Sequence, residues 1–107
     1  QLVFILQRGV RFPQGPPHMV FVYFLLAEPN YKISYIGWTN DLVKRIKLHN
    51  NGKGAKFTRG RKWKLVYYEI LKNRSDALRR ENIFKKDRKL RNLIKQMYLS
   101  KNNINEK

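Results

Sequence analysis

The segment YIGWTNDLVKR, residues 35–45, decides how the chain is organised. It predicts a strand that carries Tyr35, a close backbone turn at Gly37 and a helix start at residues 39–41. The helix that follows brings Arg45 back toward the end of the strand. We therefore expect a phenol, a guanidinium group and an open turn to share one corner of the fold.

Charge is the most informative bulk property of the chain. Its 107 residues include 24 Lys and Arg against 7 Asp and Glu, a formal net charge of +17. Such a field attracts polyanions and makes their binding salt-dependent, so nucleic acid is the expected partner. No apolar run approaches the roughly 20 residues of a membrane-spanning helix, and no basic amphipathic helix lies beside a lipid anchor. We expect no membrane association and a location in the cytoplasm, including the nucleoid.

Metal ligands are scarce in this sequence. The absence of cysteine excludes disulfides, thiolate zinc sites and thiol nucleophiles, and the only imidazoles are His18 and His49. The seven acids are Glu28, Asp41, Glu69, Asp76, Glu81, Asp87 and Glu106. A magnesium-type site must therefore combine a few carboxylates with water and substrate phosphate.

The two ends of the chain lack strong patterning. Residues 13–17 are rich in proline and glycine, which indicates a stiff linker, and Met19 directly precedes the first strongly patterned segment. We interpret residues 1–18 as a linker or a non-native leader, residues 19–99 as one domain, and residues 100–107 as a disordered tail.

The pattern of apolar residues predicts an α/β domain. Aromatic and β-branched runs predict strands at residues 20–26, 33–37 and 65–71. Apolar separations of three and four predict helices at residues 41–50, 76–88 and 90–99. A hairpin between the first two strands would place Tyr23 and Tyr35 on neighbouring strands.

Three residues on two predicted helices point to a site. Arg45 and His49 are spaced by four residues and so lie in one line along their helix. In the next helix Glu81 falls on the expected inward stripe with Ala77, Leu78 and Phe84, where a carboxylate is unusual unless it has a structural or functional role.

The loop at residues 51–64 is glycine-rich and basic, with Phe57 and Trp63 interleaved. Its spacing does not meet that of a phosphate-binding P-loop.

These motifs together resemble the GIY-YIG nuclease superfamily, over about residues 20–89. The resemblance is carried by Phe21-Val22-Tyr23, Tyr35-Ile36-Gly37, Arg45, His49 and Glu81. The family's loop pattern ending G-A-K-x-T-R matches residues 51–59, and its S-x-A-L-R-R-E helix matches residues 75–81. Phe21 departs from the name-giving glycine, and Trp38 stands where some members have a lysine.

The resemblance implies a three-stranded antiparallel sheet flanked by helices and a phosphodiesterase site with one metal ion. It implies Tyr35 as the general base or water-orienting group, with Tyr23 as a positioning hydrogen-bond partner and His49 nearby. Arg45 would bind phosphate oxygens, and Glu81 would hold one Mg²⁺ or Mn²⁺. A phenol titrates near ~10 in model peptides, so a basic phenol would need cationic surroundings.

Each assignment has a purely structural alternative. The tyrosines could be strand packing residues, and Arg45 could be a solvated helix charge. His49 could be an imidazolium at a helix C-terminus, and Glu81 could pair with Arg45 or a lysine. The basic residues of the loop could be a solvated charge run or could contact nucleic-acid phosphates: Lys53, Lys56, Arg59, Arg61 and Lys62.

The leading functional hypothesis is a magnesium-dependent endonuclease acting on DNA, in repair or processing. The alternative is a nucleic-acid-binding module that cleaves weakly or not at all, because fold alone does not establish function. An RNA- or ribosome-associated basic protein is a third class that the charge permits.

Overall fold

The computed structural model describes residues 2–4 and 19–102. The proline-rich linker expected at residues 13–17 and the end of the expected tail, residues 103–107, lie outside the described residues. The assignment of residues 1–18 as a leader stays a prediction.

The sheet is antiparallel and has the strand order β1-β4-β2-β3. Its strands are β1 (Leu2–Phe4), β2 (Val20–Ala27), β3 (Ser34–Thr39) and β4 (Trp63–Leu71). Strands β2, β3 and β4 are the three predicted ones, so the expected sheet flanked by helices is confirmed. The short edge strand β1, which pairs with β4, was not predicted.

Three helices complete the domain: α1 (Leu42–Asn50), α2 (Arg74–Lys86) and α3 (Arg88–Lys101). Each begins after a side-chain cap, at Asp41, Asn73 and Asp87. Helix α2 starts earlier than predicted because the Asn73 side chain accepts a hydrogen bond from the Asp76 amide at 2.8 Å. Helix α3 continues two residues past the predicted end of the domain at residue 99.

Strand β2 divides the core into two layers, because its side chains alternate between the faces of the sheet. Val22 and Phe24 pack in one cluster with Ala77 and Phe84 of α2 and with Ile94, Tyr98 and Leu99 of α3. Phe21, Tyr23 and Leu25 pack in the other with Leu42 and Ile46 of α1. All of β2 is buried, as its continuous apolar run predicted.

One predicted core position is wrong. Leu78 was expected on the inward stripe of α2, but 41% of it is exposed. The buried positions Ala77 and Phe84 are seven residues apart, so they define a narrow stripe two turns long. Leu78 lies one residue, about 100°, off that stripe.

Candidate active site

Tyr23 and Tyr35 meet across the β2–β3 pair. Tyr23 lies opposite Gly37 in the register, and the centroids of the two phenol rings are 6.4 Å apart. A Cβ atom at Gly37 would lie 2.5 Å from the Tyr23 hydroxyl oxygen. Gly37 is therefore required by the close approach of the Tyr23 side chain, since no larger residue leaves room for it.

His49 lies in the last turn of α1 and is fully buried beside the tyrosines. Its Nε2 is 2.7 Å from the Tyr23 hydroxyl and its Nδ1 is 2.9 Å from the Thr58 hydroxyl. Burial, with a smaller contribution from the positive charge of Arg45, lowers the pKa of His49 to about 4. The ring is therefore neutral near pH 7, and the interpretation of His49 as a helix-terminal imidazolium is wrong.

The hydrogen bond between Thr58 and Ala55 decides which atoms donate and which accept in this series. The Thr58 hydroxyl donates to the carbonyl oxygen of Ala55 at 2.9 Å, and a carbonyl can only accept. Thr58 Oγ1 must then accept from the Nδ1–H of His49, which leaves Nε2 to accept from the Tyr23 hydroxyl. We call this series, from Tyr23 through His49 and Thr58 to Ala55, the buried hydrogen-bond chain.

Arg45 lies near the outer end of this series. Its guanidinium group is close enough to Tyr23 to lower the pKa of the phenol. The Nε of Arg45 is buried and has no partner within residues 2–4 and 19–102. Arg45 also lines two neighbouring clefts of about 250 and 300 Å³, both bordered by Thr39 and Asn40. Arg45 is thus a half-buried group at the edge of a cleft rather than a solvated charge.

The surroundings of Tyr23 keep its proton in place. Burial is the main cause that raises the pKa of Tyr23 to about 12. The nearby Arg45 guanidinium group lowers this pKa, whereas Tyr35 and the carboxylate of Glu81 raise it. Tyr23 is therefore a neutral hydrogen-bond donor, which suits a positioning role.

Glu81 lies on α2, and its carboxylate makes a small contribution to raising the pKa of Tyr23. Only 14% of its side chain is exposed, and Lys85 Nζ lies 3.2 Å from its carboxylate. The predicted pairing of Glu81 with a lysine is present. Lys85 is 52% exposed, so it can move into solvent without opening the core.

Some cations of the basic loop form no ion pair with the described residues, and others contact a ring or a carbonyl oxygen. Lys53, Lys56 and Arg59 are exposed and form no ion pair with the described residues. Arg61 lies over the ring of Phe57, 5.6 Å from its centroid, and Lys62 Nζ lies 3.4 Å from the Asn50 carbonyl oxygen. Four of the five cations are therefore exposed, and Arg61 contacts Phe57, which packs against Tyr35.

A family model for the GIY-YIG catalytic domain matches residues 19–95. The chain belongs to the GIY-YIG family. The resemblance predicted from the motifs is thereby confirmed, and the protein has a domain of a nuclease superfamily. Within the described residues, no helix is long and apolar enough to cross a membrane.

Curated relatives of this GIY-YIG protein include several named UPF0213 proteins. One from Clostridium perfringens (strain 13 / Type A) is 52% identical over 69 residues, which cover 64% of this chain and 72% of the relative. One from Streptococcus pyogenes serotype M5 (strain Manfredo) is 45% identical over 65 residues, covering 60% and 71%. No solved structure matches the chain.

The GIY-YIG residues that the sequence singled out converge, but others were missed. Gly54 and Thr58 contribute to the site through His49: a Cβ at Gly54 would collide with the His49 ring, and Thr58 fixes its tautomer. Both belong to the matched G-A-K-x-T-R pattern, which was the available signal. Trp38, where some GIY-YIG members have a lysine, carries the guanidinium of Arg74 5.2 Å from its ring centroid. The guanidinium group of Arg74 therefore provides a cation beside Trp38.

A metal ion at this GIY-YIG site would have few protein ligands. No group of three or more His, Cys, Asp or Glu that could hold a metal occurs in residues 2–4 and 19–102. Glu81 offers one hard carboxylate. Mg²⁺ commonly accepts one or two carboxylates together with water and substrate phosphate, so the donor set fits Mg²⁺ or Mn²⁺.

Proposed function

We propose that this GIY-YIG protein is a metal-dependent endonuclease that hydrolyses phosphodiester bonds in DNA. The observation that carries the proposal is the state of Arg45. Its half-buried side chain lies near Tyr23 and lines two clefts, and its Nε has no partner among the described residues. A phosphate oxygen entering a cleft would be an acceptor for the guanidinium group.

The two phenols would have different roles because their exposure differs. Tyr23 is fully buried and is already a donor to His49, so it would hold Arg45 in place. Tyr35 is only partly buried, and substrate and water can therefore reach it. We assign Tyr35 to orienting the attacking water, whose proton it would accept as a phenolate, with Tyr23 and His49 as positioning residues.

Glu81 would hold the one Mg²⁺ or Mn²⁺ that this family is expected to use. When bound, the ion would neutralise charge on the scissile phosphate and its leaving oxygen. Arg45 would stabilise negative charge that develops on the phosphate. Lys53, Lys56, Arg59, Arg61 and Lys62 would bind the flanking phosphates without reading the sequence.

The test is cleavage of single-stranded, duplex and branched DNA in Mg²⁺, with EDTA as the metal-free condition. We expect wild type to cut at least one substrate. We expect Tyr35→Phe and Glu81→Gln to lower the rate at least about 100-fold, the scale of losing a general base or a metal ligand. Asp76→Asn, on the same helix in a surface ion pair, is the matched control and should cut normally.

A metal-binding readout separates Glu81 from Tyr35. Mn²⁺ titration followed by electron paramagnetic resonance should show weaker binding for Glu81→Gln and unchanged binding for Tyr35→Phe. If wild type cuts no substrate, or if both variants cut at the wild-type rate, the endonuclease proposal is wrong.

A binding module without cleavage is the second candidate, favoured by the Glu81–Lys85 ion pair, which occupies the proposed metal ligand. The variant Lys85→Gln distinguishes the two functions. An endonuclease should bind Mn²⁺ at least as tightly after this change, because Glu81 loses its competing partner. A binding module should show no specific Mn²⁺ site in either form.

A further inference from the structure

Phe57 is an exposed aromatic side chain held at the edge of the candidate site. It is 54% exposed, whereas every other aromatic side chain among residues 19–102 is buried or half-buried. The other large exposed hydrophobics, Leu78, Ile83, Leu93 and Met97, are aliphatic and lie on helices α2 and α3. Phe57 therefore differs from them in both chemistry and location.

The ring of Phe57 continues a series of aromatic rings that starts in the site. It lies nearly parallel to Tyr35, with an interplanar angle of 21° and a centroid distance of 6.2 Å. Trp63 lies 6.4 Å from both rings. The guanidinium of Arg61 lies 5.6 Å from the Phe57 centroid. An aromatic surface with a cation over it thus extends from Tyr35 to solvent.

The position of Phe57 is set by its neighbour. Thr58 is fully buried and is bonded to His49 and Ala55, while its carbonyl oxygen accepts from Trp63 Nε1 at 3.0 Å. Because hydrogen bonds to three residues fix Thr58, the neighbouring Phe57 side chain is held in one outward-facing position. A ring held in this way loses little conformational freedom when it binds a flat partner.

The charges around Phe57 select the partner. Lys56 and Arg59 flank it in the chain, and Lys53 lies four residues before it. A flat apolar face surrounded by cations matches one nucleotide, whose base stacks while its phosphates are neutralised. In duplex DNA the base faces are covered by their neighbours, so the base that can stack here must be unpaired.

We propose that Phe57, with Arg61, is a stacking site for one unpaired DNA base beside the phosphate held at Arg45. This inference rests on the proposed function for the location of the phosphate and names its substrate class: single-stranded DNA or an unpaired segment of a branched molecule. It requires binding but no cleavage.

The test measures equilibrium binding in EDTA, where no hydrolysis occurs, by fluorescence anisotropy. The probes are a single-stranded oligonucleotide, the duplex of the same length and the matching RNA strand. Phe57→Leu keeps an apolar contact with Tyr35 and Trp63 but removes the ring, and Phe57→Trp restores a ring. Leu93→Ala, at an exposed position on α3, is the matched control.

We expect Phe57→Leu to weaken binding of single-stranded DNA by about 5-fold to 100-fold, the range for loss of one base–aromatic stack. Duplex binding and the salt dependence should stay unchanged, because no charge is removed. Phe57→Trp and Leu93→Ala should bind like wild type. A 2-aminopurine placed in the single strand should change its fluorescence on binding wild type and Phe57→Trp but not Phe57→Leu.

Equal losses on single strand and duplex, or no loss on either, would overturn the stacking site. A loss confined to RNA would overturn the assignment to DNA. The endonuclease proposal is judged separately, by cleavage in Mg²⁺, so a protein that stacks a base and cuts nothing supports this inference and contradicts the other.

Discussion

The Tyr23 hydroxyl donates to Nε2 of His49 across 2.7 Å and so ties the central strand to the last turn of α1. The two residues are 26 positions apart in the chain. Both are fully buried, so neither can exchange this bond for one to water. The bond fixes the position of the Tyr23 hydroxyl, and through His49 it makes the geometry of the site depend on Thr58 and Ala55 in the loop.

Removing the Thr58 hydroxyl should destabilise the protein through His49. Thr58→Val keeps the shape of the side chain but leaves the His49 Nδ1–H buried without an acceptor. We expect a loss of about 1–3 kcal/mol in the free energy of unfolding, measured by urea denaturation. Thr58→Ser keeps the hydroxyl and is the control. Equal stabilities of Thr58→Val and wild type would show that the buried hydrogen-bond chain contributes nothing.

Stability should fall on mild acidification because His49 must be neutral in the folded protein. Its pKa is about 4 when folded and 6.5 when unfolded, so the unfolded chain binds more protons between these values. The free energy of unfolding should therefore decrease, by on the order of 1–3 kcal/mol, as the pH falls from about 6.5 to about 4. Urea midpoints across this range should vary less in His49→Gln; an unchanged slope would contradict the assignment to His49.

A methyl group at position 37 should disturb Tyr23. In Gly37→Ala the new Cβ would lie 2.5 Å from the Tyr23 oxygen and 2.8 Å from its Cζ. We expect a loss of roughly 1–3 kcal/mol of stability, the usual cost of overpacking, together with reduced cleavage. In a double-mutant cycle with Tyr23→Phe, which removes the colliding oxygen, Gly37→Ala should cost less stability in the Tyr23→Phe background than in wild type. An equal cost in both backgrounds would mean that the collision is not the cause.

The ion pair between Glu69 and Arg80 should carry much of the attachment of α2 to the sheet. Two nitrogens of Arg80 donate to the buried Glu69 carboxylate, at 2.6 and 2.8 Å, and Tyr67 also donates to it. Arg80→Met strands a buried charge, so we expect a loss of roughly 3 kcal/mol in urea denaturation. Arg79→Met, which breaks only an exposed pair with Asp76, should change stability by less than about 1 kcal/mol.

The exposed loop cations should determine the salt dependence of DNA binding. Lys56→Ala and Arg59→Ala should each weaken duplex binding similarly for all sequences. Each should also reduce the slope of log affinity against log salt by about one unit, if each contacts one phosphate. Lys89→Ala, an exposed lysine on α3, is the control and should leave the slope unchanged. Unchanged slopes for the loop variants would place the footprint elsewhere.

Most of the fold could be predicted because its elements are encoded locally. The apolar run of β2, the cap at Asp41 and the helical spacing of α1 are properties of neighbouring residues. The edge strand β1 and the exposure of Leu78 could not be predicted in this way. Strand pairing joins distant segments, and the choice of the buried stripe on α2 depends on which partners pack against it.

The candidate site divides in the same manner. The sequence by itself determined the family, the net positive charge and the candidate residues Tyr23, Tyr35, Arg45, His49 and Glu81, because fixed spacings and side-chain chemistry carry that information. Only the tertiary structure decided that His49 is neutral, that Thr58 sets its tautomer and that Phe57 is presented to solvent. Those properties depend on burial and on hydrogen bonds between residues that meet only after the loop folds back onto α1.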